Sequence, residues 1–352
     1  MRRHLPYILA VILMTSCDRS DNWKQFQSIG LPQKDESYND LVFTDSLTGY
    51  LGGNSMIAIG KVNNQYKFSH RTVLYKTKDQ GKSWLKIPLD YPGSVNRIFE
   101  FKDTLVVLLQ DISSDSVYIL KSKNHGKNWE KLFSAPRNLY IREILFTNSD
   151  NGYIVTDDRR QSLLLKLQLN KKDTILNLPN NHYHYKIIRN KIFSLIPDQT
   201  AANSRGILIK DMETGEKKEL LFDKPYYIAS STFYEKNLFL AASDNNTGKI
   251  LRLTDNEITT YDLGKYSDYQ PDRVFAYHNT IVAIVHHTKD VAFLGVIHHL
   301  LISKDNGQSW ILEEIPAPMY LKPATMYMDQ FFMTYCGTGS FQMRNMDDIS
   351  LP

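Results

Sequence analysis

The octapeptide SKDNGQSW, residues 303–310, decides the fold because closely similar octapeptides occur at two other places in the chain. TKDQGKSW occupies residues 77–84, and SKNHGKNW occupies residues 122–129. All three begin with Ser or Thr and then Lys, have Asp or Asn third and Gly fifth, and end in Trp. The 352-residue chain contains four Trp, so three of them at one fixed offset indicate a repeat rather than coincidence.

The spacing of the octapeptides indicates a unit of about 45 residues. Asp79 and Asn124 are 45 residues apart, and Asn124 and Asp305 are 181 residues apart, which is close to four such units. We therefore expect three degenerate copies near residues 169, 214 and 260. The candidates there are Asn170, Glu213 with Gly215, and Asp255. A repeat of this length with several short strands per unit is typical of a β-propeller.

Each unit contains four short β-rich runs bounded by polar turns, and the octapeptide falls between the third and the fourth. No helical periodicity appears after the N-terminal apolar run. Three further strand-like runs follow Trp310, and WKQFQSIG precedes the first unit. We therefore predict an all-β, seven-bladed propeller of four-stranded antiparallel blades over residues 31–352, closed by strands from both ends of the chain. Six blades are the alternative.

The conserved positions within the octapeptides have structural roles. Gly81, Gly126 and Gly307 are expected to adopt positive φ in a tight turn. The Asp or Asn side chain is expected to accept hydrogen bonds from its own turn, and the Ser or Thr hydroxyl to add another. The aromatic rings are expected to pack between blades; they belong to Trp84, Trp129 and Trp310.

These octapeptides resemble Asp-box (BNR) repeats, found in sialidase-like, sortilin-type and photosystem II assembly-factor-like propellers. LVFTDSLTGYLGG at residues 41–53 and ILFTNSDNGYIV at residues 144–155 share a run that is similar to the start of blades in the last group. The resemblance implies a propeller fold. It leaves the function open, because the same fold serves enzymes, receptors and assembly factors.

The N-terminus predicts export and membrane anchoring. The positively charged start MRR, with Arg2 and Arg3, lies ahead of the apolar run LPYILAVILM, which is too short for a permanent membrane span, and then TS and Cys17 follow. This arrangement resembles a bacterial lipoprotein signal, which implies removal of residues 1–16, lipidation of Cys17 and a tether over residues 17–30. The alternative is an ordinary secretion signal. With Cys17 as the anchor, Cys336 is left alone and no disulfide is expected.

Composition and local motifs argue against several functions. The formal net charge of +4 is small for this length, so we expect no nucleic-acid partner. A sialidase would need an Arg-Ile-Pro type motif ahead of its first Asp-box, but only Arg19 and Arg71 lie between the signal and Asp79, and neither is followed by an apolar residue and Pro. Other propeller glycosidases use two carboxylates, which no local signature excludes.

Paired histidines mark the candidate binding loop. HHTKDVAFLGVIHH places two His pairs at the ends of one predicted hairpin. Alternate residues of a strand point to opposite faces, so one histidine of each pair can face a given site. We favour a partner-binding loop with structural or surface histidines and assign no metal, although a transition-metal site is the alternative. The residues are His286, His287, His298 and His299.

Three other segments are assigned structural roles. Asp157 to Arg160 is expected to form a solvated hairpin tip, His182 to Tyr185 a loop entering a strand, and Cys336 a buried thiol.

The sequence therefore predicts a non-catalytic lipoprotein of the bacterial envelope, in the periplasm or on the outer surface. It would bind a protein partner as a scaffold, assembly factor or immunity-type inhibitor, without a cofactor or catalytic residues. A glycan-binding or glycan-hydrolysing propeller is the alternative.

Overall fold

The computed structural model describes residues 23–31, 36–62, 65–102, 104–111, 116–136, 140–146, 148, 151–157, 162–168, 171–178, 183–188, 190–198, 202–245, 247–254, 256–292, 295–315, 323–334 and 340–348. The predicted signal segment 1–16, Cys17, His182, Asp158 to Arg160 and Cys336 lie outside the described residues. Among the described residues, no helix has the length and apolar character needed to cross a membrane.

The described chain is almost entirely β-strand. The strands of the N-terminal half are β1 (Trp23–Gln27), β2 (Glu36–Phe43), β3 (Gly49–Val62), β4 (Gln65–Thr77), β5 (Leu85–Lys86), β6 (Ser94–Phe101), β7 (Thr104–Asp111), β8 (Ser116–Ser122), β9 (Glu130–Pro136), β10 (Tyr140–Phe146), β11 (Gly152–Asp157), β12 (Ser162–Gln168) and β13 (Lys171–Leu178).

The second half continues in the same way. Its strands are β14 (Tyr183–Ile188), β15 (Lys191–Pro197), β16 (Ser204–Asp211), β17 (Lys217–Tyr234), β18 (Asn237–Asp244), β19 (Thr247–Leu253), β20 (Ile258–Asp262), β21 (Tyr269–Tyr277), β22 (Thr280–Ala292), β23 (Gly295–Ser303), β24 (Ile311–Glu314), β25 (Ala324–Tyr327), β26 (Gln330–Thr334) and β27 (Ser340–Asn345). Two 3-10 turns, Gly264–Tyr266 and Met346–Asp348, complete the described secondary structure.

Antiparallel pairing joins these strands into sheets of four. Strands β2 to β5, β6 to β9, β10 to β13 and β21 to β24 form four such sheets in chain order, and β25, β26, β27 and β1 form a fifth. Strands β14 to β20 form one seven-stranded sheet, because the first part of β17 pairs with β16 and its second part with β18. The sequence did not predict this continuous strand, and the number of blades stays a prediction.

Apolar clusters fill the spaces between successive units. Phe43 of the first sheet stacks on Phe332 of the terminal sheet with ring centroids 3.9 Å apart. A second cluster joins the sixth unit to the terminal sheet and contains Ile284, Leu300 and Phe331, all fully buried. The middle strands are buried on both faces because each sheet lies between two neighbours, which explains why runs such as TLVVLLQ show little polar alternation.

The terminal sheet joins the two ends of the chain. Strand β1 pairs with β27 over five residues, with Trp23 opposite Arg344. Arg344 is fully buried and makes a two-pronged ion pair with Glu313 of β24, with nitrogen–oxygen distances of 2.8 and 3.0 Å. The expected sheet with strands from both ends is therefore present. Within the described residues this sheet bridges the two ends of the chain, since β25 contacts β2 on one side and β21 on the other.

The predicted boundary between tether and propeller was wrong. Residues 23–27, expected in a tether ending at residue 30, form β1, and the next residues bind the first octapeptide. The Ser28 hydroxyl donates to the Gly81 carbonyl at 2.6 Å, and the Trp84 N–H donates to the Ile29 carbonyl at 2.8 Å. Residues 23–31 therefore belong to the folded domain, because the otherwise open edge of β27 provides hydrogen-bonding partners for β1.

Candidate functional site

The octapeptides form turns between the third and fourth strands of their sheets, as predicted. In the third copy, Asp305 Oδ1 accepts a hydrogen bond from the Ser309 N–H at 2.9 Å, and the Ser309 hydroxyl donates to Asp305 Oδ2 at 2.6 Å. The Ser303 hydroxyl donates to Asp305 Oδ1 and accepts from the Gly307 N–H, both at 2.7 Å. The carboxylate is thus used to close its own turn.

The other two copies repeat this arrangement. Asp79 Oδ1 accepts from the Ser83 N–H at 2.8 Å, and Asn124 Oδ1 accepts from the Asn128 N–H at 2.9 Å. The three glycines have φ values of 85°, 89° and 84°, as expected for Gly81, Gly126 and Gly307. The residue before each glycine also has positive φ, which the sequence did not predict; these are Gln80, His125 and Asn306.

The octapeptide tryptophans pack against the preceding unit. Trp84 and Trp310 are buried, and Trp129 is half-buried. The Trp129 indole N–H donates to the Pro88 carbonyl at 2.9 Å, and that of Trp310 donates to the Asp262 carbonyl at 3.0 Å. These hydrogen bonds connect one unit to the next, which confirms the predicted packing role.

Of the degenerate copies, the one near residue 214 differs in detail from the prediction. Gly215 has φ of 76°, but the turn is closed by Asp211 rather than by Glu213. Asp211 Oδ1 accepts from the N–H groups of Glu213 and Thr214 at 2.8 and 3.0 Å. Asn170 and Asp255 lie outside the described residues. The hydrogen-bond acceptor in this turn is thus two residues earlier than the sequence suggested.

The predicted histidine hairpin is formed by β22 and β23 and brings one histidine from each pair together. His286 lies directly opposite His298 in the strand register. His286 Nδ1 is 2.7 Å from Asp272 Oδ2, and His298 Nε2 is 3.5 Å from the same oxygen. Asp272 belongs to β21, so three adjacent strands supply this cluster. The sequence did not predict the contribution of Asp272.

The remaining two histidines lie on the opposite face of the same sheet. His287 Nε2 is 2.7 Å from Asp268 Oδ2. Tyr269 lies between the two imidazoles, with ring centroids 5.0 Å from His287 and 5.4 Å from His299. The prediction that neighbouring histidines face different sites is therefore confirmed.

Charge strengthens the hydrogen bonds in the Asp272 cluster. The hydrogen bond to Asp272 raises the pKa of His286 above its usual value. Burial alone would raise the pKa of Asp272, but its hydrogen bonds with His286 and His298 hold that pKa below the usual range. The three side chains are 14–24% exposed, so solvent reaches them only in part.

A second polar cluster, missed by the sequence analysis, lies where the first strands of the units meet. Outside the terminal sheet, where β25 pairs regularly with β26, the pairing of the first strand of each unit is interrupted near its start, at residues 38–40, 95–97, 141–143, 183–186, 228–230 and 271–273. Neighbouring first strands contact one another, including β2 with β6, β10 with β14 and β17 with β21. The residues that follow these bulges form what we call the central ring: Asp40, Arg97, Glu143, Lys186, Ser230 and Arg273.

The central ring is held by interactions between adjacent units. Asp40 Oδ2 accepts from the Ile98 N–H at 2.7 Å, and its other oxygen lies 3.9 Å from Arg97. Lys186 pairs with Glu143 at 2.8 Å. Burial raises the pKa of Asp40 to about 6, against the opposing charge of Arg97. A sequence signal was present in three of these strands, where a polar pair comes directly before the apolar run: Asn39-Asp40, Asn96-Arg97 and Asp272-Arg273.

The histidine hairpin lies at the end opposite to the octapeptide turns. It joins a second strand to a third, whereas the octapeptides join third strands to fourth, and successive hairpins of an antiparallel sheet lie at opposite ends. The β3–β4 hairpin projects at the same end, with pairing that extends to Val62 and Gln65. Its exposed apolar side chains are 37–58% accessible: Met56, Ile57, Ile59 and Phe68.

An open groove of about 460 Å³ lies on the outer side of the molecule, between the fourth strands of two neighbouring units. Its lining includes the carboxylates of Glu219, Asp223 and Glu257 and the exposed side chain of Leu221. This position is on the outer edge and away from the first strands that surround the centre.

Comparison with known proteins shows the fold class. No family model and no curated protein matches the chain. Among solved structures, it is similar to the β-propeller domain of the trilobed protease from Pyrococcus furiosus, with a TM-score of 0.57 and 11% identity over 85% of this chain and 91% of that one. It is also similar to a catalytically inactive virginiamycin B lyase from Staphylococcus aureus with quinupristin, with a TM-score of 0.55 and 13% identity over 91% and 98% of the two chains.

A third similar structure is larger than this chain. An acylaminoacyl peptidase from Pyrococcus horikoshii has a TM-score of 0.55 and 10% identity over 85% of this chain, but only 48% of the peptidase is covered. Identities this low show the fold alone. The chain is an all-β propeller that contains several four-stranded antiparallel sheets.

Proposed function

We propose that this protein is a non-catalytic, protein-binding propeller that holds its partner at the end where the β3–β4 hairpin projects. The observation that carries the proposal is the exposure of four apolar side chains on that hairpin, two of which are 58% (Ile59) and 45% (Phe68) accessible. Exposed apolar groups gathered on a projecting element are typical of an interaction surface.

Charge favours a partner with an acidic surface. Residues 49–77 include four Lys or Arg and no Asp or Glu. Lys61 and Arg71 are exposed on this hairpin. Apolar contact would then supply the affinity, while the basic side chains would speed association and select an acidic partner.

The proposed surface is tested by capture from envelope extracts with a matched control. The double variant Ile59→Ser/Phe68→Ser is expected to lose the partner that the unmodified protein retains. Leu85→Ser changes an even more exposed apolar residue, 74% accessible, beside an octapeptide turn and is expected to keep it. Equal retention by all three proteins would contradict the proposal, as would binding to phosphatidylglycerol vesicles that accounts for all the retention. Hydrolysis of a glycan panel would instead favour the glycan alternative.

We further propose that the octapeptides are Asp-box repeats and that the protein is anchored in the bacterial envelope through a lipid on Cys17. The turn geometry of Asp79, Asn124 and Asp305 supports the first point, and the N-terminal sequence supports the second. A Cys17→Ala variant is expected to leave the membrane fraction and appear in the soluble fraction. Continued membrane attachment of this variant would argue against a lipid anchor.

A further inference from the structure

The Asp272, His286 and His298 side chains form a set of metal ligands as well as a hydrogen-bonded cluster. One carboxylate oxygen and two imidazole nitrogens all lie within 4.8 Å of one another. Among the described residues, one group of three His, Cys, Asp or Glu side chains has its ligand atoms this close together, and it is this one. Its members come from three adjacent strands, so ordinary strand pairing holds them together.

The backbone explains why these particular side chains converge. The direct register between β22 and β23 places His286 opposite His298. On the other side of β22, the regular pairing of β21 is interrupted between Pro271 and Arg273, so Asp272 occupies the bulge. The bulge turns the carboxylate toward the two imidazoles, which is a common use of bulges at functional sites.

We propose that Asp272, His286 and His298 bind a divalent transition-metal ion of the zinc type. Two imidazoles and a carboxylate are ligands that Zn²⁺ accepts, and three protein ligands leave at least one position for water or for a group from a bound molecule. The site goes beyond the partner-binding role and differs from the structural role that the sequence favours for these histidines.

The surroundings suit a metal ion that stays partly accessible. The side chains of His286 and His298 are 19% and 14% exposed, and that of Asp272 is 24% exposed. This leaves a path for the ion while limiting the competition from bulk water. The hydrogen bond between Asp272 and His286 fixes the ring orientation before the ion enters, and binding of the ion releases the proton of that hydrogen bond to solvent.

The same hairpin offers a matched control. His287 is adjacent in sequence to His286, is 16% exposed and also contacts a carboxylate, that of Asp268 at 2.7 Å. It lies on the other face of the sheet, where it takes no part in the proposed site. Replacing it tests whether metal binding depends on this face or on the histidine-rich sequence in general.

Zinc binding to the untagged, metal-stripped protein at pH 7.5 tests the proposal without any partner, so its outcome is independent of the proposed function. We expect one Zn²⁺ per chain by equilibrium dialysis. His286→Ala and His298→Ala are expected to weaken binding by about 100-fold or more, while His287→Ala leaves it within about 2-fold, since even residues that only support a metal ligand affect affinity 10- to 100-fold.

A second measurement covers variants that fold less well. Zn²⁺ is expected to raise the Tm of the unmodified protein and of His287→Ala above their own metal-free values, but not the Tm of His298→Ala. The same Tm increase in His298→Ala, or equal loss of affinity in His286→Ala and His287→Ala, would overturn the site. So would a zinc content well below one per chain in the unmodified protein.

Discussion

Asp305 illustrates how single polar residues hold the turns of this protein. Burial by itself would raise the pKa of Asp305, but hydrogen bonds from Ser309, Ser303 and Gln308 lower it below the usual value. A carboxyl group whose pKa is lowered in the folded state stabilises the fold above its unfolded pKa. That contribution is lost as the pH falls through the folded pKa. The octapeptide carboxylates therefore support the fold at neutral pH.

The first prediction concerns this turn. Asp305→Ala is expected to lower the free energy of unfolding by about 1–2 kcal/mol, because it leaves the partly buried donors of Ser303 and Ser309 unpaired. Asp305→Asn should cost clearly less, since Asn124 performs the same role at the equivalent position of another copy. Urea unfolding at pH 7 provides the measurement. Gln308→Ala, an exposed change in the same turn, serves as the control, and an equal loss for all three variants would contradict the assigned role.

Asp40 in the central ring has the opposite linkage to pH. Its pKa rises from the usual value to about 6 because burial penalises the charged form. Below the unfolded pKa both states are protonated, and above about pH 6 the folded state carries a buried charge that the unfolded state hydrates freely. The ionised form of Asp40 therefore reduces stability at neutral pH.

The second prediction follows from the destabilising effect of the ionised Asp40 carboxylate. The stability of Asp40→Asn relative to the unmodified protein should increase between pH 4 and pH 7 by up to about 3 kcal/mol, because each pKa unit corresponds to about 1.4 kcal/mol. Chemical unfolding at several pH values measures the difference. Asp90→Asn, at an exposed position, serves as the control for the charge change itself. A stability difference between Asp40→Asn and the unmodified protein that does not change with pH would contradict the raised pKa of Asp40.

At the scale of elements, the segment after β1 is shaped by close contact with the first octapeptide turn. Gly30 has φ of 87°, and a Cβ atom placed on it would lie 2.2 Å from the Trp84 carbonyl oxygen. A side chain is therefore excluded by both the backbone conformation and the neighbouring strand. We call residues 28–31, which lead from β1 to the first sheet, the strap. Its close contact with Trp84 depends on this glycine.

The third prediction compares two glycines with similar backbone conformations. Gly215 has φ of 76° and no atom within 4 Å of an added Cβ. Gly215→Ala should therefore cost about 1–2 kcal/mol, the ordinary penalty for a left-handed residue. Gly30→Ala should cost at least about 2 kcal/mol more, because the strap must move away from Trp84. Thermal and urea unfolding of the two variants give the comparison, and equal costs would mean that the strap is not closely packed.

Most elements follow from local sequence. Runs such as SVYILKS and GILIKD predict their strands because β-branched and large apolar residues are bounded by polar turns. The continuous strand β17 was not predicted, since DKPYY contains a proline and reads as a break. Pairing with two different strands, one on each half, holds this segment extended.

At the scale of the whole molecule, the pairing of β1 with β27 joins the two ends of the chain in one sheet. Strand β1 provides five paired residues to β27, and the strap adds contacts to the first sheet. Without this segment, β27 would have an open edge, and the buried Arg344 would lose its neighbour Trp23. The N-terminal residues therefore contribute to the stability of sheets that are far away in sequence.

The fourth prediction tests closure directly. A chain that begins at residue 32 should be at least about 3 kcal/mol less stable than one that begins at residue 22, because several net hydrogen bonds of about 1 kcal/mol each are lost. A synthetic peptide of residues 22–31 should restore much of the loss by adding a strand to the open edge. The same peptide with Gly30→Ala should restore less. Equal stability of the two chains, measured by urea unfolding, would show that the terminal sheet is held without β1.

The sequence by itself determined the class of fold and the positions of the turns. A recurring octapeptide and its spacing are local information, because a turn is specified by a few neighbouring residues such as Gly81 and Asp79. The same holds for the strands, since apolar runs and their boundaries are visible in the chain. For this reason the octapeptides were correctly placed between third and fourth strands.

Only the tertiary structure decided which side chains meet. Asp272 joins His286 and His298 because a bulge and two strand registers bring together residues that are up to 26 positions apart. Asp40 and Arg97 come from different units, and Trp23 reaches Arg344 only through closure of the ring. Contacts of this kind depend on how the sheets are arranged around the centre, which no local pattern of residues specifies.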